Sequence, residues 1–313
     1  MRTPEFWRRR GLAALLLAPL GLLYGASVAW KARHAKPYRA RAKVICIGNL
    51  TAGGSGKTPV ALAVAERLQV RHRDIFFLTR GYGGAERGPV RVGSEGDAAR
   101  FGDEALLLAR TAPTIVAGDR AAGAVLAVAE GAGVIVMDDG HQNFSLAKNL
   151  SVVVVDGEYG FGNGLMIPAG PLRETVPQGL ARADAVIIMG DASPDLRGYA
   201  GPVLRARLVA DAKEFRGRRV FAFAGIGRPE KFFASLEQAG AIITDRQIFA
   251  DHHPYRDDEM VALKARAGDA QLLTTEKDLV RVGAEHRDAI AALPVHVQFD
   301  DEQALDRLLD RLA

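Results

Sequence analysis

An apolar run at residues 44–47, V-I-C-I, passes through Gly48-Asn49-Leu50 into T-A-G-G-S-G-K-T at residues 51–58, and Pro59 then opens an Ala-rich stretch. A glycine-rich loop between a strand and a helix turns successive backbone N–H groups toward one point and adds the positive end of the helix, which makes an anion site. Gly53, Gly54 and Gly56 permit the turn, Lys57 is placed to reach the outer phosphates of a nucleotide, and Thr58 to hold Mg²⁺. Pro59 costs little there, because the first N–H groups of a helix have no intrahelical partner. Thr51 stands where the general pattern has Gly, and Ala52 and Ser55 fill the variable places, so the match is imperfect. The rival reading is an ordinary Gly-rich turn followed by an incidental Lys-Thr pair.

The surroundings of this loop repeat one rhythm. Short β-branched runs at residues 44–47, 75–79, 114–117, 134–137, 152–156 and 185–189 alternate with Ala-rich helical stretches. That alternation predicts βαβ units in a doubly wound parallel α/β sheet of the P-loop NTPase kind, with continuously apolar strands because helices cover both faces. From residue 204 to 219 polar, basic sequence replaces the rhythm. A second set then begins with a strand at 220–224, a helix at 232–239, strands at 241–244 and 271–275, and an amphipathic tail from Asp301. The predicted organisation is an N-terminal segment (1–36), a P-loop core (37–210) and a smaller α/β C-terminal domain (211–313).

The N-terminal segment is of another kind. Residues 11–30 carry no charge and are rich in Leu and Ala, long enough to cross a bilayer core of about 30 Å as a helix. A cleaved signal peptide is the rival, because Arg8, Arg9 and Arg10 precede the run. Its length and the cluster Lys31, Arg33, Lys36, Arg39, Arg41 and Lys43 behind it favour a retained membrane anchor, which spans or lies shallowly, with the rest of the chain in the cytoplasm. This placement also explains the net charge of +4 as attraction to anionic lipid headgroups rather than to nucleic acid. The only cysteine, Cys46, excludes a disulfide framework.

Other residues point to chemistry. The run at 134–137 ends in Asp138-Asp139-Gly140, which places two carboxylates at the C-terminal edge of a parallel sheet, the position of a metal-binding acid in P-loop enzymes. The alternative is a solvated turn after a strand. Gly102-Asp103-Glu104 reads either as a helix cap or as part of a site, and Asp251-His252-His253 either as a polar loop or as an acid–base element. Arg173-Glu174, after the Pro/Gly segment 167–171, suits a phosphate or substrate loop.

Taken together these residues resemble the tetraacyldisaccharide 4′-kinase family of lipid A biosynthesis. The resemblance rests on G-N-L-T-A-G-G-S-G-K-T-P at 48–59, R-G-Y-G-G at 80–84, G-D-E at 102–104, D-D-G at 138–140 and F-G-N-G at 161–164. It continues through P-A-G-P-L-R-E at 168–174, D-H at 251–252 and T-E-K-D at 275–278, and Thr51 is itself a family trait. It implies a kinase that transfers the γ-phosphoryl of ATP, with Mg²⁺, to the 4′-hydroxyl of a tetraacyldisaccharide 1-phosphate at the bacterial inner membrane, forming lipid IVA. It further implies Asp103 and His252 as the acid–base pair and Lys57 on the phosphates. Thr58, Asp138, Asp139 and Glu174 would lie around the metal, Arg173 near the transferring phosphate, and Tyr82 beside the nucleotide bound by residues 51–58.

One place departs from the family pattern: D-G-x-Q-H here reads Asp139-Gly140-His141-Gln142-Asn143, and the neighbouring His141 does not inherit the missing role. The alternative from another class is a membrane-associated P-loop ATPase switch that dimerises over ATP. Its defining first lysine falls at Ala52 here. Oligomeric state and acyl-chain preference are open at this level.

Overall fold

A computed structural model of the chain, described for residues 4–70, 74–93 and 96–312, has the doubly wound α/β architecture that the strand rhythm predicts. Residues 1–3 of the N-terminal segment and residue 313 of the C-terminal one lie outside the described part. The apolar stretch is a single helix, α1 (Leu12–His34). β1 (Lys43–Gly48) feeds the glycine loop and α2 (Lys57–Gln69), followed by β2 (Ile75–Thr79), β3 (Val90–Arg91), α3 (Ala98–Phe101) and α4 (Asp103–Ala109). Next come β4 (Thr114–Val116), α5 (Arg120–Ala129), β5 (Val134–Asp138), β6 (Leu150–Asp156), α6 (Val176–Leu180), β7 (Ala185–Met189) and β8 (Val203–Ala210). The remainder holds β9 (Arg219–Ala224), α7 (Pro229–Gln238), β10 (Ile242–Ile248), α8 (Asp257–Ala267), β11 (Gln271–Thr275), α9 (Glu276–Leu279), α10 (Ala284–Arg287), β12 (Ile290–Leu293), β13 (Val295–Phe299) and α11 (Glu302–Asp310).

Nine strands form the first sheet in the order β13-β8-β7-β6-β1-β5-β2-β4-β3, parallel except for β3 and β13 at its two edges. Side chains of a strand point alternately to opposite faces, and β1 shows the result. Ile45 and Ile47 pack with Val60, Val64 and Leu68 of α2, whereas Val44 and Cys46 pack with Ala124 and Ala127 of α5. At β1 the strand order turns, with β5 on one side and β6 on the other. Parallel sheets bind ligands outside such a switch point. The register Ile47↔Asp138 brings the end of β5 level with the start of the glycine loop.

The second sheet, β10-β9-β11-β12, is parallel throughout. Val220, Ala222 and Ala224 of β9 face Phe232, Phe233 and Leu236 of α7, while Phe221 and Phe223 face Met260 and Leu263 of α8. Four strands were not expected: β3, β8, β12 and β13. β8 lies in the stretch read as a break in the rhythm, and β13 leaves the second sheet to pair antiparallel with β8 in the first. Behind β13, Leu305, Leu308 and Leu309 of α11 join the core beside α2, and Arg67 of α2 donates two hydrogen bonds to Asp306 at 2.8 and 2.7 Å.

Candidate active site

The glycine loop follows β1 into α2 as the sequence predicts. Gly53 and Gly56 take φ of 118° and 86°, values that side-chain-bearing residues rarely adopt. A Cβ on Gly53 or Gly54 would meet no atom within 4 Å, so the loop borders open space on the side where a ligand would lie. Its outer strand is tied to the segment 171–173: Ala52 N donates to Pro171 O (2.7 Å), and Arg173 N to Leu50 O (2.8 Å). These two bonds bring Arg173 and Glu174 to the loop that sequence alone left separate from them.

Carboxylates gather below it. Asp138 is fully buried; its Oδ2 accepts from the Thr58 hydroxyl (3.0 Å), and its Oδ1 has no partner. Burial first, then the nearby Glu104 carboxylate, push Asp138 up to about 7 against the pull of Lys57. A buried acid with an orphaned oxygen beside a hydroxyl and a second carboxylate offers the oxygen donors that a hard cation takes. Asp139 has left-handed backbone (φ 52°), and its Oδ1 lies 2.7 Å from Arg173 Nη1 and 3.9 Å from Lys57 Nζ. Burial would raise its carboxyl, but Lys57 and Arg173 outweigh burial and hold it below the ordinary carboxylate range.

Glu174 is buried too, and both of its oxygens accept from Arg182 at 2.8 and 2.6 Å. Gln142 joins the parts by donating through Nε2 to Glu174 Oε1 (2.8 Å) and to Asn49 O (2.9 Å). His141 points the other way. Its Nε2–H donates to Gly179 O (3.0 Å), its Nδ1 accepts from the Ser151 hydroxyl (3.1 Å), and burial followed by Lys148 and Arg182 lowers it to about 3. It is a neutral core residue.

Asp103 and His252 belong to different sheets' surroundings and meet. His252 has φ 59°, and its Nδ1 lies 2.8 Å from Oδ2 of buried Asp103. A carboxylate can only accept, so Nδ1 carries a proton, and in the neutral imidazole Nε2 holds the lone pair. Burial would raise Asp103, but the His252 hydrogen bond and then the charges of Lys277, His252 and Arg281 hold it below the ordinary value. Tyr82 sets its ring against His252 edge to face, with centroids 6.3 Å apart.

Two neighbours of this pair were given no role by the sequence reading, although Lys277 lies within T-E-K-D and Arg281 three residues beyond it. Lys277 Nζ lies 3.4 Å from His252 Nε2 and 3.7 Å from Asp103 Oδ2. Arg281, almost wholly buried, donates to His253 O (3.1 Å) and Gly225 O (3.0 Å), and its Nε lies 3.7 Å from Asp103. Asp278 neutralises it while accepting from Gly225 N and Tyr255. Because His252 N donates to the same Gly225 O (3.1 Å), one guanidinium steadies both the histidine loop and the carboxylate.

Comparison with known proteins points one way. The sequence pattern of the LpxK family, tetraacyldisaccharide-1-P 4′-kinase, matches residues 13–313. The tetraacyldisaccharide 4′-kinase of Paramagnetospirillum magneticum is 51% identical, over 100% of this chain and 99% of its own length. That of Rhodospirillum rubrum is 50% identical, over 100% and 98%. The crystal structure of LpxK from Aquifex aeolicus in complex with ATP superposes with a TM-score of 0.79 at 25% identity, covering 96% of this chain and 99% of that one.

Proposed function

The chain belongs to the tetraacyldisaccharide 4′-kinase family, and from that premise we propose how its own residues phosphorylate the 4′-hydroxyl of a tetraacyldisaccharide 1-phosphate at the expense of ATP. It is an ATP-dependent phosphotransferase of lipid A biosynthesis. Phosphoryl transfer asks for charge neutralisation on the phosphates and an aligned hydroxyl more than for covalent chemistry. The N–H groups of residues 51–58 and Lys57 bind the phosphates, Arg173 steadies the transferring group, and Tyr82 flanks the nucleotide. Thr58 and Asp138, with Asp139 and Glu104 near, would hold Mg²⁺. Glu174 supports this set through Gln142, since Arg182 already claims its oxygens. Bound there, the ion would neutralise charge on the phosphate oxygens.

His252 takes the proton of the 4′-hydroxyl at Nε2, and Asp103 keeps the imidazole in the tautomer that can do so. The observation that carries this reading is the Asp103–His252 hydrogen bond of 2.8 Å beside a P-loop. Arg281 holds the pair in register, and Lys277 sits on Nε2 until the hydroxyl arrives. For location we propose the cytoplasmic face of the bacterial inner membrane, where the acyl chains keep the acceptor and the flanking basic residues meet anionic lipid.

The test is incubation of the purified protein with γ-labelled ATP, Mg²⁺ and tetraacyldisaccharide 1-phosphate. Label should enter the lipid. ATP hydrolysis that leaves the lipid unlabelled would refute the reading and favour a nucleotide switch.

A further inference from the structure

Lys277 is the member of T-E-K-D whose side chain runs toward the acid–base pair. β11 ends at Thr275, whose hydroxyl accepts from Asp278 N (3.0 Å) and donates to Asp278 Oδ2 (2.6 Å), which caps α9. Glu276 turns away to accept from Val295 N (3.2 Å), and Asp278 is wholly buried against Gly225 N, Tyr255 and Arg281. The backbone that carries Lys277 is therefore fixed on both sides. Its side chain, 28% exposed, keeps the freedom of a four-carbon stem.

An ammonium has three donors and no acceptor. Among the described residues, Nζ has two polar contacts: His252 Nε2 at 3.4 Å, longer than an ordinary hydrogen bond, and Asp103 Oδ2 at 3.7 Å. That oxygen is already held at 2.8 Å by His252 Nδ1, and Arg281 Nε also lies 3.7 Å from it. Two cations share one carboxylate, and Lys277, much the more exposed of them, has donors to spare. A base takes a proton from a hydroxyl within about 2.6–3.2 Å. The 4′-oxygen must therefore come to Nε2, where Nζ now stands, and the ammonium must give way. In a near-attack geometry that oxygen lies about 3–3.5 Å from phosphorus, so a side chain displaced from Nε2 by a few ångströms meets the oxygens of the transferring group. Left beside Nε2, the ammonium would repel the imidazolium that forms as the proton arrives; moved onto the phosphoryl oxygens, it neutralises charge there instead.

We infer that Lys277 is a catalytic residue that donates to a non-bridging oxygen of the transferring γ-phosphoryl group; this rests on the kinase reading above. The bond from the 4′-oxygen to phosphorus forms as the bond from phosphorus to the ADP oxygen breaks. The hydroxyl proton goes to His252 Nε2, and Lys277 keeps its own protons throughout. Lys57 and Arg173 stand beside Asp139 on the side of the first sheet. Lys277 follows β11 and His252 follows β10, both strands of the second sheet, so one sheet delivers the base and this cation together. ATP held by the glycine loop alone lacks both.

The experiment compares the full chain with its Lys277→Ala, Lys277→Met and Lys277→Arg variants, using γ-labelled ATP, Mg²⁺ and tetraacyldisaccharide 1-phosphate in detergent. Label entering the lipid with the parent protein supports the kinase reading by itself; its absence overturns that reading and this inference together. Lys277→Ala and Lys277→Met should each lower kcat by about 10²–10³-fold, with KM for ATP within about twofold and a melting temperature close to the parent's. Lys277→Arg should recover part of the loss. Ethylammonium added to the Lys277→Ala protein should raise kcat saturably, whereas tetramethylammonium, which has the charge but no N–H donor, should not. A kcat near the parent's in both variants, or a loss that ethylammonium does not restore, would leave Lys277 as the counter-charge of Asp103 and overturn the inference. Equal rescue by the two cations would overturn it as well, because no donor would then be needed at the phosphoryl group.

Discussion

The imidazole of His252 and the carboxylate of Asp103 meet at 2.8 Å across the junction of the two sheets, so the acid–base pair proposed above can form only when both are in register. A carboxylate that fixes a tautomer acts on turnover rather than on nucleotide affinity. His252→Ala and Asp103→Ala should each lower kcat by about 10²–10⁴-fold, with ATP affinity held within twofold by calorimetry. Near-normal lipid phosphorylation by both variants would remove the pair from the mechanism.

Arg281 makes a separable contribution. In Arg281→Gln the loop keeps its Gly225 bond but loses the cation beside Asp103. The groups facing the imidazole are then Asp103, Lys277, Asp251 and Tyr82, with Asp278 left uncompensated behind them. With that cation gone the carboxylate and the histidine loop lose their common brace, so kcat should fall by about tenfold while KM for ATP changes little. Arg281→Lys should restore part of kcat. A rise in KM for ATP with kcat unchanged would remove Arg281 from the support of the pair.

Lys57 is nearly buried, and its ammonium approaches Asp139. Lys57→Met removes the mobile cation of the loop and should reduce kcat/KM for ATP by about 10²–10³-fold, with a melting temperature close to that of the parent protein. Retention of full activity would mean that the backbone N–H groups and Arg173 suffice.

Two buried groups set opposing pH slopes on stability. Asp138 is raised from 3.8 to about 7, so its folded form keeps a proton that the unfolded chain has lost; that contribution is full below 3.8 and disappears as pH rises through 7. His141 is lowered from 6.5 to about 3, so its contribution is full above 6.5 and is lost as pH falls toward 3. Between roughly pH 4 and 6.5 the two nearly cancel. In metal-free urea titrations over that interval, Asp138→Asn should lose stability as pH falls, and His141→Gln should lose it as pH rises. Parallel curves for both variants and the parent would rule out this origin.

How much of this was legible in the sequence depends on how local each feature is. The strand, glycine loop and α2 share one short segment and need no distant partner. β11 appears at its predicted bounds, residues 271–275, for the same reason: an apolar run covered on both faces looks alike wherever it stands. β8 was hidden because V-L-R-A-R-L-V-A places arginines within a strand of which only two residues are buried, and its pairing with β13 is a long-range fact. In the site, carboxylates at strand ends were readable by position. The bond from Gln142 to Asn49, the grip of Arg182 on Glu174 and the place of Arg281 depend on loops that meet only in the fold. The spacing of Asp103 and His252 along the chain says nothing of their 2.8 Å contact; only the family resemblance coupled them.

The packing of α11 against α2 bears on the order in which the protein is made. The nucleotide loop leaves the ribosome long before Leu305, Leu308 and Leu309, which close the far side of its helix. A nascent chain therefore carries an unbraced loop until those leucines have been made. A premature stop ahead of them would strike the nucleotide-binding end of the molecule, although the residues lost are far from it in sequence.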